Sequence, residues 1–364
     1  MKIVVIGTRG IPGILGGVET HCEELYPRIA ASGHDVTIIR RTPYIAENNH
    51  IREYKGVKLI DVYAPRRKSI EAITHTFLAI LQARKLHPDV LHVHAIGPAL
   101  LVPLARLLGM RVVMTNHGPD YDREKWGFLA KTVLKAGEWS GSHFSNRVIV
   151  ISNTIADILK NKYGRKDTEL IFNGVNIPDK PLSRQWLSKW GIDDKAYIMA
   201  MGRFVKEKGF HTLIEAFKRS GLSATHRLVI AGDSDHEDAY SQSLKKLAAD
   251  ENVVLTGFIK GEPLAQLLTN ASLFVIPSSH EGLPIALLEA MSYNIDVLAS
   301  DIPANRIAQL DSKSDFFHTG DTNDLAKALK RKVSEGCHRR AYDLGPYNWD
   351  EIAAQTIGVY KSVL

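Results

Sequence analysis

The chain has 364 residues, a net charge of +6 at pH 7 and a sequence pI near 9.1. That length exceeds what one hydrophobic core usually supports, so two domains are expected. A hydrophobic content of 45% and a charged content of 24% describe an ordinary soluble globular protein. The positive net charge is compatible with nucleic acid, anionic lipid or phosphorylated ligands, so it does not distinguish among these partners.

The cysteines and the N-terminus indicate the compartment. Cys22 and Cys337 form no CxxC pair, which argues against a disulfide framework or a zinc site and suits a reducing cytoplasm. The N-terminal run, residues 1–7, reads as a strand that enters a glycine loop, too short for the apolar core of a signal peptide. No run approaches the roughly 18 apolar residues of a membrane span. We expect a cytoplasmic protein, and leave open an association with the inner face of the cell membrane.

Basic clusters occur at Arg40–Arg41 and at residues 66–68. They lack the aromatic interleaving of a single-strand binder, and solvated surface is the simpler interpretation of each. No nucleic-acid partner is therefore expected.

Short β-branched runs alternate with helical stretches along the whole chain. The strands have nearly continuous hydrophobicity, as parallel strands buried on both faces do. Such alternation predicts a doubly wound α/β architecture. In chain order, the predicted strands are 3–6, 35–39, 90–94, 112–115, 148–151, 197–201, 227–231, 253–256, 273–276 and 297–300. The predicted helices are 20–31, 70–85, 129–144, 154–162, 210–218, 241–249 and a final amphipathic segment, 349–364.

The alternation breaks between Lys162 and Lys195, where glycines and prolines cluster. This predicts a linker near residues 174–181 and two domains, 1–174 and 175–348. Two such domains facing each other would form a cleft at the carboxyl ends of their strands, where ligands bind in folds of this class.

A glycine-rich loop follows the first predicted strand. Gly7, Gly10 and Gly13 imitate a dinucleotide fingerprint, but that site needs a helix opening directly at the loop. Here the pair Gly16 and Gly17 delays the helix to about residue 18, so a nicotinamide site is disfavoured. These two glycines still allow backbone N–H groups to approach a phosphate. A simple flexible turn is the alternative.

The second half opens with a strand and a basic turn. Gly202 follows the strand, and Arg203 and Lys208 bracket the turn before the next helix. Two cations there would neutralise a diphosphate leaving group without a metal. Solvated surface charge is the alternative, and for Lys206 it is the preferred interpretation.

Two carboxylates frame one helix start in the second half. Glu281 lies in the loop after an apolar strand, Glu289 lies along the following helix, and Pro284 suits the first helical turn. Backbone N–H groups there form a site suited to an anion; they belong to Gly282, Leu283 and Ile285. Carboxylates beside an anion site are placed to hold the hydroxyls of a sugar nucleotide. The alternative is one surface and one helix-face glutamate.

Two further motifs concern His117 and a DxD pattern. His117 follows a strand of the first half at its carboxyl end, which favours a functional over a structural histidine. Residues 233–235 match the DxD pattern of metal-dependent glycosyl transfer, but more acidic residues follow, so a polar surface loop is the simpler account. No other cluster has metal-ligand spacing, and no metal is expected.

Together these motifs resemble a GT-B-fold retaining glycosyltransferase of family four, over essentially the whole chain. The most specific element is the E-x7-E pattern of Glu281 and Glu289. The turn at residues 202–209 and the run Asn173-Gly174-Val175 add support. The first loop and residues 117–126 resemble a rhamnosyltransferase-like bacterial subgroup that acts in surface polysaccharide assembly (exopolysaccharide, capsule or O-antigen). Val18 replaces the usual Phe of that subgroup, a mild departure.

The resemblance implies a role for each position of the donor site. Arg203 and Lys208 would bind the donor diphosphate, Glu281 the sugar hydroxyls and Glu289 the ribose hydroxyls. His117 would lie beside the donor sugar. The remaining donor-binding positions implied are Gly16, Gly17, Gly202, Gly257, Phe258, Ile259, Gly282, Leu283 and Pro284. In the family the C-terminal helix returns to the first domain, which suits residues 349–364.

The reaction implied is a same-face transfer through an oxocarbenium-like state, in which the departing phosphate helps to deprotonate the acceptor. No metal, cofactor or glycosidase-type carboxylate pair is then required. The partners would be a nucleotide-sugar donor and a saccharide or lipid-linked saccharide acceptor. Residues 119–141, rich in aromatics, would contact such an acceptor or simply pack beneath a long loop.

Two other functions stay open. A nucleotide-sugar 2-epimerase of the same fold would need carboxylates on the other wall of the cleft, where Glu19 is available. A non-catalytic nucleotide-sugar or polyanion binder would explain the basic pI. The donor sugar and its nucleotide are not determined by these residues.

Overall fold

The structure is a computed structural model that describes residues 1–66, 70–122, 127–178, 183–234, 237–307, 310 and 313–364. The chain forms two compact units, Met1–Gly174 with Pro346–Leu364, and Val175–Gly345. Several predicted features extend beyond the described residues: Arg67 and Lys68 of the basic cluster, positions 123–126 of the aromatic insert, 179–182 of the linker and Asp235 of the DxD pattern.

The first unit is built on a mostly parallel sheet. In the part of the unit that the structure describes, its strands are β1 (Lys2–Ile6), β2 (Asp35–Arg41), β3 (Glu53–Tyr54), β4 (Val57–Val62), β5 (Val90–His94), β6 (Val112–Asn116), β7 (Arg147–Val150) and β8 (Thr168–Leu170). Their order is β3-β4-β2-β1-β5-β6-β7-β8, and only β3 with β4 is antiparallel. The central strands are fully buried, as the continuous apolar runs predict.

Helices cover both faces of this sheet, because right-handed crossovers on the two sides of a reversal in strand order lie on opposite faces. They are α1 (Gly17–Ala31), α2 (Glu71–Leu86), α3 (Ile96–Ala99), α4 (Val102–Leu107), α5 (Phe128–Phe144) and α6 (Asn153–Tyr163). α2 and α5 both pack against α3. Across the described residues, no helix combines the length and the apolar character needed to cross a bilayer.

The second unit has a parallel sheet of its own. As described, its strands are β9 (Ala196–Met201), β10 (His226–Ala231), β11 (Val254–Leu255), β12 (Leu273–Ile276), β13 (Asp296–Ser300) and β14 (Phe316–Phe317), in the order β11-β10-β9-β12-β13-β14. Its helices are α7 (Gln185–Lys189), α8 (Phe210–Ser220), α9 (Ala239–Asp250), α10 (Glu262–Asn270), α11 (Ile285–Ser292) and α12 (Thr322–Ser334).

The last helix, α13 (Trp349–Lys361), belongs to the first unit and packs on α1. Trp349, Ile352 and Tyr360 are buried in one core cluster with Ile3 of β1. A side chain at Gly174 would lie 2.4 Å from Cδ2 of Trp349, so only glycine leaves room for the indole there.

The sequence did not predict every element. The short strands β3, β8 and β14, the six-residue strand β4 and the helices α3, α4, α7, α10 and α12 were missed, and β11 is shorter than the predicted 253–256. Most of these strands are short or lie at the sheet edges, where a weak apolar pattern is sufficient. The strand order reverses once in each sheet, between β1 and β5 in the first unit and between β9 and β12 in the second. This position is called the switch point of the sheet. Ligands of doubly wound folds bind at the carboxyl edge of such a point.

Candidate functional site

In the second unit, the loops after β9 and β12 meet at the carboxyl edge of the switch point. Gly209 has φ +66°, and a Cβ there would lie 2.2 Å from the carbonyl oxygen of Pro277. The backbone N–H of Ser279 donates to the carbonyl oxygen of Glu207 over 2.8 Å. The glycine therefore permits a close approach that brings the basic turn against the loop carrying Glu281.

Lys208 and Glu281 form an ion pair across this switch point. Lys208 Nζ donates to Glu281 Oε1 over 2.5 Å, and the two side chains are 20% and 10% exposed. Arg203 lies half-buried on the same turn, one residue after Gly202. Two cations and one carboxylate thus stand at the position where such folds bind their ligands.

The helix after Glu281 starts later than the sequence predicts. Pro284 is the extended N-cap residue and α11 begins at Ile285, so the prediction that Pro284 lies in the first helical turn was wrong by one residue. Leu283 and Pro284 are buried, whereas Gly282 is partly exposed. The N–H groups of a first helical turn have no intrahelical partner, so the partly positive end of α11 faces this loop and favours an anion there.

Glu289 lies on α11 and is half-buried. Burial, and then the Glu289 carboxylate, raise the pKa of Tyr293 to about 12. The Glu289 carboxylate therefore lies close enough to Tyr293 to oppose ionisation of its phenol. Glu289 itself lies one turn into α11, beyond the loop that holds Glu281.

The predicted base pocket lies on the other side of the basic turn. The N–H of Gly232 donates to the carbonyl oxygen of Gly257 over 2.9 Å, and a Cβ on Gly232 would lie 1.9 Å from the carbonyl oxygen of Gly202. Phe258 follows with 40% of its surface exposed, and Ile259 is partly buried. These contacts put the two residues at the same edge of the sheet as Gly202.

The acidic loop after β10 is held by internal contacts. Asp233 pairs with Lys245 over 3.2 Å, and Asp238 caps α9 through the N–H of Ser241. These two carboxylates therefore have structural roles in the described part of the DxD loop.

In the first unit, a buried glutamate shapes the glycine loop after β1. Glu19 is 6% exposed and accepts hydrogen bonds from Thr8 Oγ1 over 3.2 Å and from the Arg9 N–H over 3.0 Å. A Cβ on Gly16 would lie 2.0 Å from the Glu19 carboxylate. Gly17, where nothing would contact a Cβ, is the first residue of α1.

His117 follows β6 and ends a buried chain of hydrogen bonds. Its Nε2 lies 2.9 Å from Nδ1 of His94, whose Nε2 lies 2.5 Å from the Tyr26 hydroxyl. That hydroxyl lies 2.9 Å from Nδ1 of His92, which lies 2.6 Å from the hydroxyl of Tyr360 on α13. The chain links the candidate site residue to the C-terminal helix.

These imidazoles are uncharged near neutral pH. Burial lowers the pKa of His92 and of His117 to about 3, with neighbouring histidines adding to the effect, and it lowers the pKa of His94 well below its usual range. A neutral imidazole has one donor and one acceptor nitrogen, so His94 serves its two neighbours through different nitrogens. His92 contacts both tyrosine hydroxyls through Nδ1 and the Thr115 hydroxyl through Nε2.

The aromatic insert of the first unit divides into buried and exposed rings. Tyr121 is 5% exposed and its hydroxyl donates to Glu138, so it packs beneath the loop. Phe128 is 89% exposed and Trp139 is 47% exposed. Tyr121 thus fits packing beneath the loop, and contact of the exposed rings with an acceptor stays a prediction.

The structure brings most of the predicted residues together within their own units. The carboxyl edge of the second sheet carries Gly202, Arg203, Lys208, Phe258, Ile259, Glu281, Gly282, Leu283 and Pro284. Gly16, Gly17 and His117 belong to the first unit, where a Cβ on Gly7 of the same loop would lie 2.2 Å from the carbonyl oxygen of His94. His94, His92 and Tyr26 were not predicted from the sequence, although histidines at alternate positions of one strand lie on the same face of the sheet and indicate a polar cluster.

Comparison with known proteins gives the family. Residues 15–178 match the model of Glycosyltransferase Family 4, and residues 183–343 match that of Glycosyl transferases group 1. An uncharacterized glycosyltransferase of Methanocaldococcus jannaschii is 25% identical, over 99% of this chain and 98% of that protein.

Solved structures show the same fold. Sucrose-phosphate synthase from Thermosynechococcus elongatus superposes with a TM-score of 0.83 at 21% identity, covering 99% of this chain and 98% of that chain. HepE from Anabaena, in complex with UDP and glucose, gives a TM-score of 0.76 at 16% identity, covering 99% of each chain. The two Rossmann-like sheets thus have the GT-B fold, and the two halves of the chain match glycosyltransferase family models, Family 4 in the first half and group 1 in the second.

Proposed function

We propose that the protein is a retaining glycosyltransferase that moves a sugar from a nucleotide-sugar donor to a saccharide or lipid-linked saccharide acceptor in bacterial surface polysaccharide assembly. The observation that carries the proposal is the ion pair of Lys208 with Glu281 at the switch point of the second sheet. The solved relative HepE holds UDP and glucose, which supports a nucleotide-sugar donor.

The ion pair explains how one small site serves both phosphate and sugar. Without ligand, Lys208 and Glu281 neutralise each other in a largely buried place. When a donor binds, its diphosphate pairs with Lys208 and Arg203 and replaces Glu281 as the partner of Lys208. Glu281 is then released to accept hydrogen bonds from the sugar hydroxyls, so ligand contacts replace the internal pair.

The other residues have positioning roles in this proposal. Phe258 presents an exposed ring for the base, and Glu289 holds the ribose hydroxyls. His117 donates or accepts one hydrogen bond to the donor sugar as a neutral imidazole. When the bond from the anomeric carbon to the phosphate oxygen breaks, the acceptor oxygen bonds to that carbon on the same face. The acceptor proton passes to the departing phosphate, so no protein carboxylate acts as nucleophile.

The structure disfavours the epimerase alternative at one residue. Glu19, the carboxylate available on the first unit, is buried and accepts hydrogen bonds from Thr8 and Arg9. A carboxylate engaged in this way organises the loop and is a poor proton acceptor for a sugar.

A lipid-linked acceptor is supported by an exposed apolar stripe on α2. Ile73, Phe77 and Leu81 are 38%, 45% and 38% exposed at spacings of one helical turn, and Ile70 precedes them with 46%. The other exposed positions within α2 are Arg84 and Lys85. The exposed positions of α5 are likewise apolar, basic or uncharged, with no carboxylate among them: Phe128, Leu129, Thr132, Lys135, Ala136, Trp139, His143 and Phe144. Apolar surface with only basic charges suits an anionic membrane, so we propose peripheral association through this unit.

The first experiment identifies the donor. Purified protein is screened by thermal shift against UDP-glucose, UDP-N-acetylglucosamine, GDP-mannose and dTDP-rhamnose, because a bound ligand raises the unfolding temperature by mass action. The best donor is then assayed for release of nucleoside diphosphate with and without saccharide acceptors. Saturable binding without any release, across the acceptors tested, would favour a binder over a transferase.

Two controls test the chemistry. Release in EDTA should equal release in Mg²⁺, because Lys208 and Arg203 supply the charge that a metal would otherwise provide. The anomeric configuration of the product, read by NMR coupling constants, should match that of the donor. Inversion would contradict the same-face transfer while leaving the transferase assignment intact.

A further inference from the structure

Three imidazoles of the first unit converge, and His117 is one of them. One ring nitrogen from each of His21, His94 and His117 lies within 4.8 Å of the other two. His21 and His94 are buried, at 3% and 0% exposure, and His117 is partly exposed. The rings of His21 and His117 meet edge to face with centroids 5.1 Å apart.

His21 has a ring nitrogen that its surroundings do not use. Its Nδ1 lies 3.0 Å from Oδ1 of Asn173. An amide oxygen only accepts, so Nδ1 carries the proton and Nε2 carries a lone pair. That Nε2 is buried without a hydrogen-bond partner among the described residues. A buried acceptor left unpaired is unfavourable, and a bound cation would remove that cost.

We propose that His21, His94 and His117 bind one divalent transition-metal ion of the zinc class. Three neutral imidazoles form a common zinc ligand set, with Zn–N distances of about 2.0–2.1 Å and therefore nitrogens about 3.3 Å apart. Nδ1 of His94 and Nε2 of His117 are already 2.9 Å apart. In the present contact His117 Nε2 carries the proton that it shares with His94 Nδ1, so coordination moves that proton to Nδ1 of His117. Small ring rotations then give a trigonal set of ligands, with a fourth position open.

The surroundings fit such a site. Metal-binding histidines usually donate their other ring N–H to an oxygen that fixes the tautomer. Asn173 accepts a hydrogen bond from Nδ1 of His21, and the Tyr26 hydroxyl, 2.5 Å from Nε2 of His94, can accept a hydrogen bond from its N–H. Burial keeps the rings neutral and ready to coordinate. With nitrogen donors alone, the trio selects zinc, copper, nickel or cobalt over magnesium and calcium.

The site has a consequence for activity that rests on the proposed function. A metal would occupy Nε2 of His117 and reorient the ring that we place beside the donor sugar. Zinc should therefore inhibit a transfer that itself requires no metal. Binding of the ion does not depend on that assignment, so the two can fail separately.

The test measures Zn²⁺ binding to untagged, metal-stripped protein by competition with a chromophoric chelator. We expect one tight equivalent in the wild type. His21→Phe keeps a flat ring beside Trp349, removes one ligand and should weaken binding more than about 100-fold, since loss of an outer hydrogen bond alone costs 10–100-fold. Asn173→Ala should fall in that smaller range. The matched control is His318→Gln, which removes an exposed histidine paired with Asp324 and should leave the tight equivalent unchanged.

Cobalt provides an independent readout. Co²⁺ bound by the trio should give the visible absorption of a four-coordinate centre, absent in His21→Phe. Thermal unfolding and nucleoside diphosphate binding show whether each variant is folded. Failure of the folded wild type to bind Zn²⁺, or unchanged tight binding in folded His21→Phe, would overturn the proposal. Tight, His21-dependent binding without inhibition would keep the site and contradict the role given to His117.

Discussion

Replacement of Glu281 by glutamine should strengthen the binding of nucleoside diphosphate while it slows transfer. The ion pair with Lys208 is 2.5 Å long, and at an effective dielectric constant of about 20 its attraction is roughly 6–7 kcal/mol. Desolvation costs several kcal/mol per ion, which leaves a net contribution of about 1–2 kcal/mol. A diphosphate must compete with this pair for Lys208. The variant removes that competition, so affinity should rise roughly 5–30-fold.

The effect on turnover has the opposite sign. Glu281 is proposed to hold the sugar hydroxyls as charge develops, and loss of one such group typically costs 10²–10³ in kcat. Lys208→Met should lower both the affinity for nucleoside diphosphate and kcat. Lys206→Ala, an exposed charge on the same turn, is the matched control and should stay within about threefold of wild type.

The assay combines calorimetry with product release. Titration uses whichever of UDP, GDP and dTDP stabilises the wild type most, and release is measured with the matching donor. Weaker diphosphate binding by Glu281→Gln, of the kind expected for Lys208→Met, would refute the competition between the carboxylate and the phosphate. Near-full turnover of both Glu281→Gln and Arg203→Ala would refute the site itself.

Three further predictions concern stability, membranes and pH. Gly209→Ala should cost about 2–4 kcal/mol of unfolding free energy, from positive φ and a steric clash, measured by urea denaturation. Phe77→Glu should reduce co-sedimentation with phosphatidylglycerol vesicles about tenfold or more, because it removes an inserted apolar ring. Burial lowers the pKa of His21, His75 and His92 to about 3, so the unfolded state binds more protons between pH 3 and 6.5. Stability should therefore fall as the pH falls from 6.5 to 5.5, by about 1 kcal/mol per histidine, and by less in His75→Gln.

Each of these has a control in the chain. Gly221 has the same φ of +66° but open space around a Cβ, so Gly221→Ala should cost clearly less than Gly209→Ala. Ile177 is a 73% exposed apolar residue of the other unit, and Ile177→Glu should leave vesicle binding unchanged. Equal losses in either pair, or an unfolding free energy that does not change between pH 6.5 and 5.5, would contradict the respective argument.

The fold class was predictable because its signal is local. Buried parallel strands produce continuous apolar runs such as 273–276 and 297–300, and the intervening helices have amphipathic patterns. Short edge strands such as Glu53–Tyr54 bury little surface and left no such pattern. The helix α12, rich in lysine, was missed because its apolar residues are few.

By itself, the sequence determined the two-part α/β organisation and the residues with donor-site chemistry, since loops at strand ends carry both glycines and charges. Only the tertiary structure decided which of these residues meet. The sheet order brings Lys208 against Glu281 although 73 positions separate them, and it assigns Glu19 to the support of a loop. It also assembles His21, His94 and His117 from one helix and two strand ends. Such contacts depend on strand order and burial, which no local pattern of residues encodes.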